Sequence, residues 1–245
     1  MTEPKKTMDV AIWKGDDAGG QYEHFAVPAE DNQTILDVVS WVQQNADPTL
    51  SYRFACRVGM CGSCAMMVNG TPRWTCRTHV KKVLTNGQLK VAPLNNLPVV
   101  KDLVVDMDPF FDKWIKAGGL HAPSKTRDDD IAAIAPDTDG RQNANAGIEC
   151  INCSVCYAAC DTVRSNPDYL GPAALQRAWT IVNDEKHAAR GAVLDLVAQS
   201  HGCFNCHSMG SCTAHCPNDL DPMQAIARLK RAAMTHKLAG GGRDA

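Results

Sequence analysis

No apolar run in this chain approaches the ~18 residues that a bilayer-spanning helix needs. It is therefore not expected to cross a membrane by a helix of its own. A surplus of charge is missing too: 25 basic residues stand against 27 acidic ones, for a formal net charge of −2. The pI is near 6.4, which argues against nucleic acid as the main partner. The opening Met1-Thr2-Glu3-Pro4-Lys5-Lys6 leads into no apolar signal core and lacks the Arg- and Ser-rich character of a transit peptide. There is no tandem repeat. These absences predict a chain in a reducing compartment, cytosolic or held to a membrane by something else. One excess stands out, twelve cysteines in 245 residues. A chain of this length suits two ordinary domains and builds its core without staples. In a reducing compartment so many thiols mean metal or redox chemistry.

The cysteines fall in three groups. Cys56-x4-Cys61-x2-Cys64, followed by Cys76, has the plant-type spacing for a [2Fe–2S] cluster. A short loop delivers three thiolates to two irons only by wrapping its backbone around them. Gly59 and Gly62 permit that wrapping. Backbone N–H···S bonds, with Arg57 beside the first ligand, should raise the reduction potential. Zinc, the alternative, takes paired knuckles, and here the fourth cysteine stands alone.

Cys150-x2-Cys153-x2-Cys156-x3-Cys160 is the bacterial ferredoxin run, too crowded for one zinc site and too closely spaced to pair productively as disulfides. Asp161 follows where proline is usual. Cys206-x2-Met209-x2-Cys212-x3-Cys216-Pro217 is the same run with methionine at the second ligand position. In two-cluster proteins the fourth cysteine of each run serves the other cluster. Cys150, Cys153, Cys156 and Cys216 then hold a [4Fe–4S] cluster, and Cys160, Cys206 and Cys212 are left for the last site. A neutral thioether is a poor substitute for thiolate on ferric iron, so that site is expected to be [3Fe–4S]. Cys203 either supplies a fourth ligand or packs as a small buried thiol; its place outside the repeated run favours the thiol.

Ahead of the long cysteine-free stretch the pattern is mixed. Met8 to Trp13 and Tyr22 to Val27 read as a hairpin. Thr34 and Asp37 form a capping-box pattern before a helix with Ile35, Val38, Val39 and Val42 on one face. Residues 64–68, 73–75 and 88–91 read as short strands. The stretch 118–147 reads as a long irregular connection, its acid run a solvated face. Helices follow: Pro172 through Val182, Lys186 through Ser200, and one beginning at Pro222 with Met223, Ile226, Leu229 and Ala233 apolar.

Three cluster sites in this order, β-rich half first, resemble one family. The strings Ser51-Tyr52-Arg53-Phe54-Ala55-Cys56-Arg57-Val58-Gly59-Met60-Cys61-Gly62-Ser63-Cys64, Leu97-Pro98-Val99-Val100-Lys101-Asp102-Leu103, Cys150-Ile151-Asn152-Cys153, Gly171-Pro172-Ala173-Ala174 and Cys206-His207-Ser208-Met209 carry the resemblance. The chain resembles the iron–sulfur subunit of succinate dehydrogenase/fumarate reductase. The resemblance implies an α+β chain. A β-grasp, plant-type ferredoxin domain would span residues 1–105, and an all-α, bacterial-ferredoxin-like domain residues 106–245. It implies electron transfer from FAD in a flavoprotein subunit through [2Fe–2S], [4Fe–4S] and [3Fe–4S] to quinone at a hydrophobic membrane anchor, or the reverse. The dicarboxylate site is then on the flavoprotein, and no residue here does acid–base catalysis. The chain would sit peripherally on the cytoplasmic side of the cytoplasmic membrane.

The resemblance also implies quinone contacts. His207 matches a family histidine beside the quinone pocket, against a histidine that merely caps a loop. Lys230 matches a family lysine near quinone, against a solvated basic face shared with Arg228 and Arg231. Ser165 stands where ubiquinone-linked members place tryptophan, which leaves room for menaquinone or fumarate reduction. Trp114 and Trp179 read as core. Rival readings are a soluble adaptor of another flavin dehydrogenase or heterodisulfide-reductase-like complex, and a zinc-stabilised interaction module.

Overall fold

The structure, a computed structural model, describes residues 6–131 and 133–241. The opening residues 1–5 lie outside it. The chain divides into two compact units. One runs up to Met107 and takes in Ile151–Ala159; the other holds Asp108–Cys150 and the chain from Cys160 onward.

In the first unit, strand β1 (Thr7–Asp16) turns at Asp17-Ala18 into β2 (Gly19–Pro28), and the two pair antiparallel from Thr7↔Pro28 to Asp16↔Gly19. Alternation along β1 sends Met8, Val10 and Ile12 inward. The helix Ile35–Asn45 begins with the expected cap: the Thr34 side chain accepts from Asp37 N, and the Asp37 carboxylate accepts from Thr34 N. Its Ile35, Val38, Val39 and Val42 share a core with β1. Strands β3 (Ala65–Val68), β4 (Thr71–Trp74) and β5 (Gln88–Ala92) complete a sheet in the order β2-β1-β5-β3-β4, with β1 parallel to β5. A mixed sheet gripping one helix is the β-grasp arrangement. A small ribbon of β6 (Val99–Lys101) and β7 (Val104–Val105) turns at Asp102, which has φ +51°.

Asp102 is buried, and its carboxylate accepts from Gly15 N (3.2 Å) and Ser51 N (2.9 Å). It ties the tip of the first hairpin to the segment entering the first cysteine loop.

The second unit is helical. Pro172–Val182 is its central helix, buried on nearly every side, and packs against Asp108–Lys116, Asp139–Ile148, Arg190–Val197 and Pro222–Leu238. Ile226, Leu229 and Ala233 of the last helix are buried. Two expectations are corrected. The stretch 118–147 contains a helix, Asp139–Ile148, capped by Thr138 accepting from Arg141 N. Asp, Asn and Gly give this segment low helix propensity, and packing decides: a β-carbon on Gly147 would lie 2.3 Å from Thr180 Oγ1. The helix expected over 186–200 spans only Arg190–Val197. Residues ahead of it form a turn, His187 N donating to Asp184 O, and a single bridge of His187 to Pro123, flanked by Ser124 N to Lys186 O and Ala188 N to Ala122 O. Among the described residues no helix is long and apolar enough to cross a membrane.

Candidate metal centres

The first loop wraps as the chemistry requires. Arg57, Gly59 and Gly62 take φ of +59°, +78° and +71°. That turns Val58 N and Met60 N toward Cys56 Sγ, at 3.4 and 3.2 Å, and Cys56 N toward Cys61 Sγ at 3.5 Å. Cys64 and Cys76 lie inside, beneath this rim. Burial and the adjoining Cys64 push the Cys76 thiol up to about 12, whereas hydrogen bonds from the Ser63 hydroxyl and Cys56 N–H draw Cys61 down to about 6. The guanidinium of Arg57 lies over the Phe54 ring, 4.6 Å from its centroid, and 3.8 Å from Asp37 Oδ1. Phe54 stacks on Tyr52, whose hydroxyl hydrogen-bonds Ser40 Oγ at 3.1 Å. The loop is thus braced on the Ile35–Asn45 helix.

Cys153 and Cys156 belong to the first unit. Asn152 and Ser154 take φ of +55° and +59° around Cys153. Asn96 Nδ2 donates to Tyr157 O at 2.9 Å and fastens the helical turn Val155–Ala158. A β-carbon on Gly62 would lie 2.6 Å from Cys153 Cβ, so the first loop and this run meet with no room for a side chain. Within the second unit, Asn218 Nδ2 donates to Glu149 O at 2.7 Å and draws the Cys216-Pro217-Asn218 run to the chain just before Cys150.

Cys160, Cys206 and Cys212 line one hollow with Tyr169, His207, Met209 and Ile226. Ser208 at φ +56° and Gly210 at φ +80° bend the chain over it, and Ser208 N approaches Cys206 Sγ at 3.4 Å. Met209, at the second ligand position, is 65% exposed. Cys203 is 0% exposed and lies outside the hollow's lining; burial pushes its thiol up to about 11. That suits a thiol that keeps its proton and packs as a hydrophobe.

The quinone candidates separate. His207 is exposed on the lining of the hollow. Lys230 is half-buried and donates from Nζ to Cys206 O at 2.6 Å. Ser165 is outside the lining, its hydroxyl donating to Thr162 O at 3.3 Å. Trp179 is buried, and Trp114 is half-buried beneath the Arg177 guanidinium, 5.1 Å from its ring centroid.

The cysteine runs missed one residue, Tyr169. It is 1% exposed and lines the same hollow as Cys160, Cys206 and Cys212. Burial, then the Cys206 and Cys160 thiols, hold the phenol well above its ordinary range, so it keeps its proton. An aromatic residue two positions before Gly171-Pro172 is the only trace in the sequence.

These residues fit iron–sulfur clusters. Backbone N–H groups converge on cysteine sulfur in the first and third loops, as thiolate-ligated clusters require. Among the described residues no group of three or more His, Cys, Asp or Glu is arranged to hold a single metal ion.

Comparison with known proteins agrees. Residues 7–112 match the family model of a 2Fe-2S iron–sulfur cluster binding domain, and residues 149–221 that of a 4Fe-4S dicluster domain. The chain is 32% identical over 238 residues to the fumarate reductase iron–sulfur subunit of Mycobacterium tuberculosis (strain CDC 1551 / Oshkosh), covering 94% of each chain. It is 35% identical over 208 residues to that of Escherichia coli O6:H1, covering 84% of this chain and 83% of that one. With the succinate dehydrogenase iron–sulfur subunit of Paracoccus denitrificans it shares 34% over 198 residues, covering 80% and 74%. Its fold resembles a chain of the Mycobacterium smegmatis Sdh1 complex in the apo form, with TM-score 0.85 at 23% identity, covering 96% and 98%.

Proposed function

Because the chain belongs to the family of succinate dehydrogenase and fumarate reductase iron–sulfur subunits, we propose that it relays electrons between a FAD-bearing flavoprotein and quinone at a hydrophobic membrane anchor. Its class is shared with its relatives: an electron-transfer subunit of an oxidoreductase, with [2Fe–2S], [4Fe–4S] and [3Fe–4S] centres. When bound, the clusters supply one-electron redox chemistry, and the protein supplies ligands, spacing and electrostatics.

The ligand sets carry the reading. Cys56, Cys61, Cys64 and Cys76 would hold [2Fe–2S] in a domain spanning 1–105. Cys150, Cys153, Cys156 and Cys216 would hold [4Fe–4S], and Cys160, Cys206 and Cys212 [3Fe–4S], in the domain spanning 106–245, whose Ile151–Ala159 segment packs with the first unit. The observation that carries most weight is the convergence of Cys160, Cys206 and Cys212 on one hollow, with Met209 at its exposed edge. Val58, Met60 and Ser208 N–H groups and the Arg57 cation stabilise the added negative charge of a reduced cluster. His207, exposed beside the third site, is the quinone-facing residue of this chain, with Lys230 bracing the loop behind it. The physiological role is succinate oxidation on the cytoplasmic side of the membrane. Fumarate reduction is the second reading, favoured by Ser165 in the place of tryptophan.

Purification from membranes tests this. The chain is expected to co-purify with a flavoprotein and a hydrophobic subunit, and added succinate is expected to reduce its clusters. Recovery of the chain alone from the soluble fraction, with clusters inert to succinate, would assign it instead to a soluble adaptor.

A further inference from the structure

His187 lies far from every cysteine run, in the turn that follows the central helix, and is 8% exposed. Its Nδ1 accepts from Ala122 N at 3.1 Å. Two backbone bonds, Ser124 N to Lys186 O and Ala188 N to Ala122 O, flank the bridge of Pro123 to His187. The other end of this 119–124 strap is held by Arg177, whose Nε donates to Gly119 O at 2.9 Å. Gly119 lies close on Trp114, since a β-carbon there would come within 2.7 Å of the indole ring.

An imidazole that accepts at Nδ1 carries its hydrogen on Nε2. That nitrogen is buried with no hydrogen-bond partner among the described residues. A second proton would go to Nδ1 and set an N–H against the Ala122 N–H, a donor facing a donor. The neighbouring charges give that proton little help. His121 of the strap stands 5.5 Å away, centroid to centroid. Arg177 opposes the charge from the central helix, and Asp184 favours it from the same turn. Glu185, the next acid, pairs with Arg141 at 3.5 Å, and Lys186 adjoins it, exposed. Burial, then His121, hold the imidazole below its ordinary range.

We propose that His187 is a proton-sensitive latch: neutral, it fastens the 119–124 strap within the second unit, and protonated at Nδ1 it releases the strap. The inference stands apart from the cluster assignments. The released histidine takes up its proton at the ordinary value near ~6.5, the latched one only at lower pH. Below about pH 6.5 each pH unit therefore favours release about tenfold, until the latched form protonates as well.

Hydrogen–deuterium exchange of the intact complex from about pH 8 to about pH 5 tests this, each rate being divided by its intrinsic pH-dependent value. Protection over 119–124 and 186–189 is expected to be flat above about pH 7 and to fall about tenfold per unit below about 6.5. The Pro172–Val182 helix should stay protected throughout. His187→Asn keeps an acceptor at the δ position and does not titrate, so it should flatten the profile; His121→Asn should leave the fall in place. The wild-type profile alone decides the matter if neither variant assembles. Equal protection at about pH 5.5 and 7.5 in wild type would overturn the latch, as would a fall shared by the helix. So would a fall that persists in His187→Asn or disappears in His121→Asn.

Discussion

A β-carbon added to Gly62 would lie 2.6 Å from the β-carbon of Cys153. Two cysteine loops separated by more than eighty residues of sequence therefore meet at van der Waals limits. Close approach is what one-electron transfer between neighbouring centres needs. It also explains why glycine stands in the middle of the Cys61-x2-Cys64 pair.

Gly62→Ala is accordingly expected to cost about 1–3 kcal/mol, from the backbone at φ +71° together with overpacking on Cys153. Thermal unfolding measures the loss, and iron analysis should show reduced loading of the first site. A variant as stable and as fully loaded as wild type would contradict the contact.

Asp102 gives a second prediction, remote from any cysteine. Asp102→Ala strands two part-buried N–H groups, on Gly15 and Ser51, and is expected to cost about 1–3 kcal/mol in urea titration. Asp102→Asn should cost less, because it keeps an acceptor oxygen and tolerates φ +51°.

Lys230 separates two roles. Bonded to the Cys206 carbonyl, it braces the third site, so Lys230→Met should release iron from that site faster on exposure to chelator, with the first site unaffected. A variant that retains iron normally and only binds quinone more weakly would make Lys230 a direct quinone contact.

The wrapping of the first cysteine loop was legible in the sequence because its glycines, Gly59 and Gly62, sit within the run itself and take positive φ. The same holds for the Thr34–Asp37 cap, whose two hydrogen bonds lie within one helical turn. What escaped is non-local. The helix Asp139–Ile148 has poor intrinsic propensity and exists because Ala144 and Gly147 bury, Gly147 against the 172–182 helix. Asp102 gains its role from partners 87 and 51 residues away. Tyr169 lies outside every cysteine run, so spacing arguments never reach it. His207 falls on the hollow as its neighbourhood suggested, whereas Ser165 turns to Thr162.

Cys203 is predicted to be silent in metal binding. Cys203→Ala should leave iron content and EPR spectra unchanged while costing about 1–2 kcal/mol for the cavity at a fully buried position. Iron lost from the third site would contradict its reading as a protonated core thiol.

The central claim is that the third site has three thiolates and a thioether in the fourth position. EPR of the oxidised complex, wild type beside Met209→Cys, tests it most directly. The account predicts an oxidised [3Fe–4S] signal in wild type that the added thiolate removes by converting the centre to [4Fe–4S] with a lower potential. A fully iron-loaded wild type without that signal, or a variant whose third centre is unchanged, would contradict it.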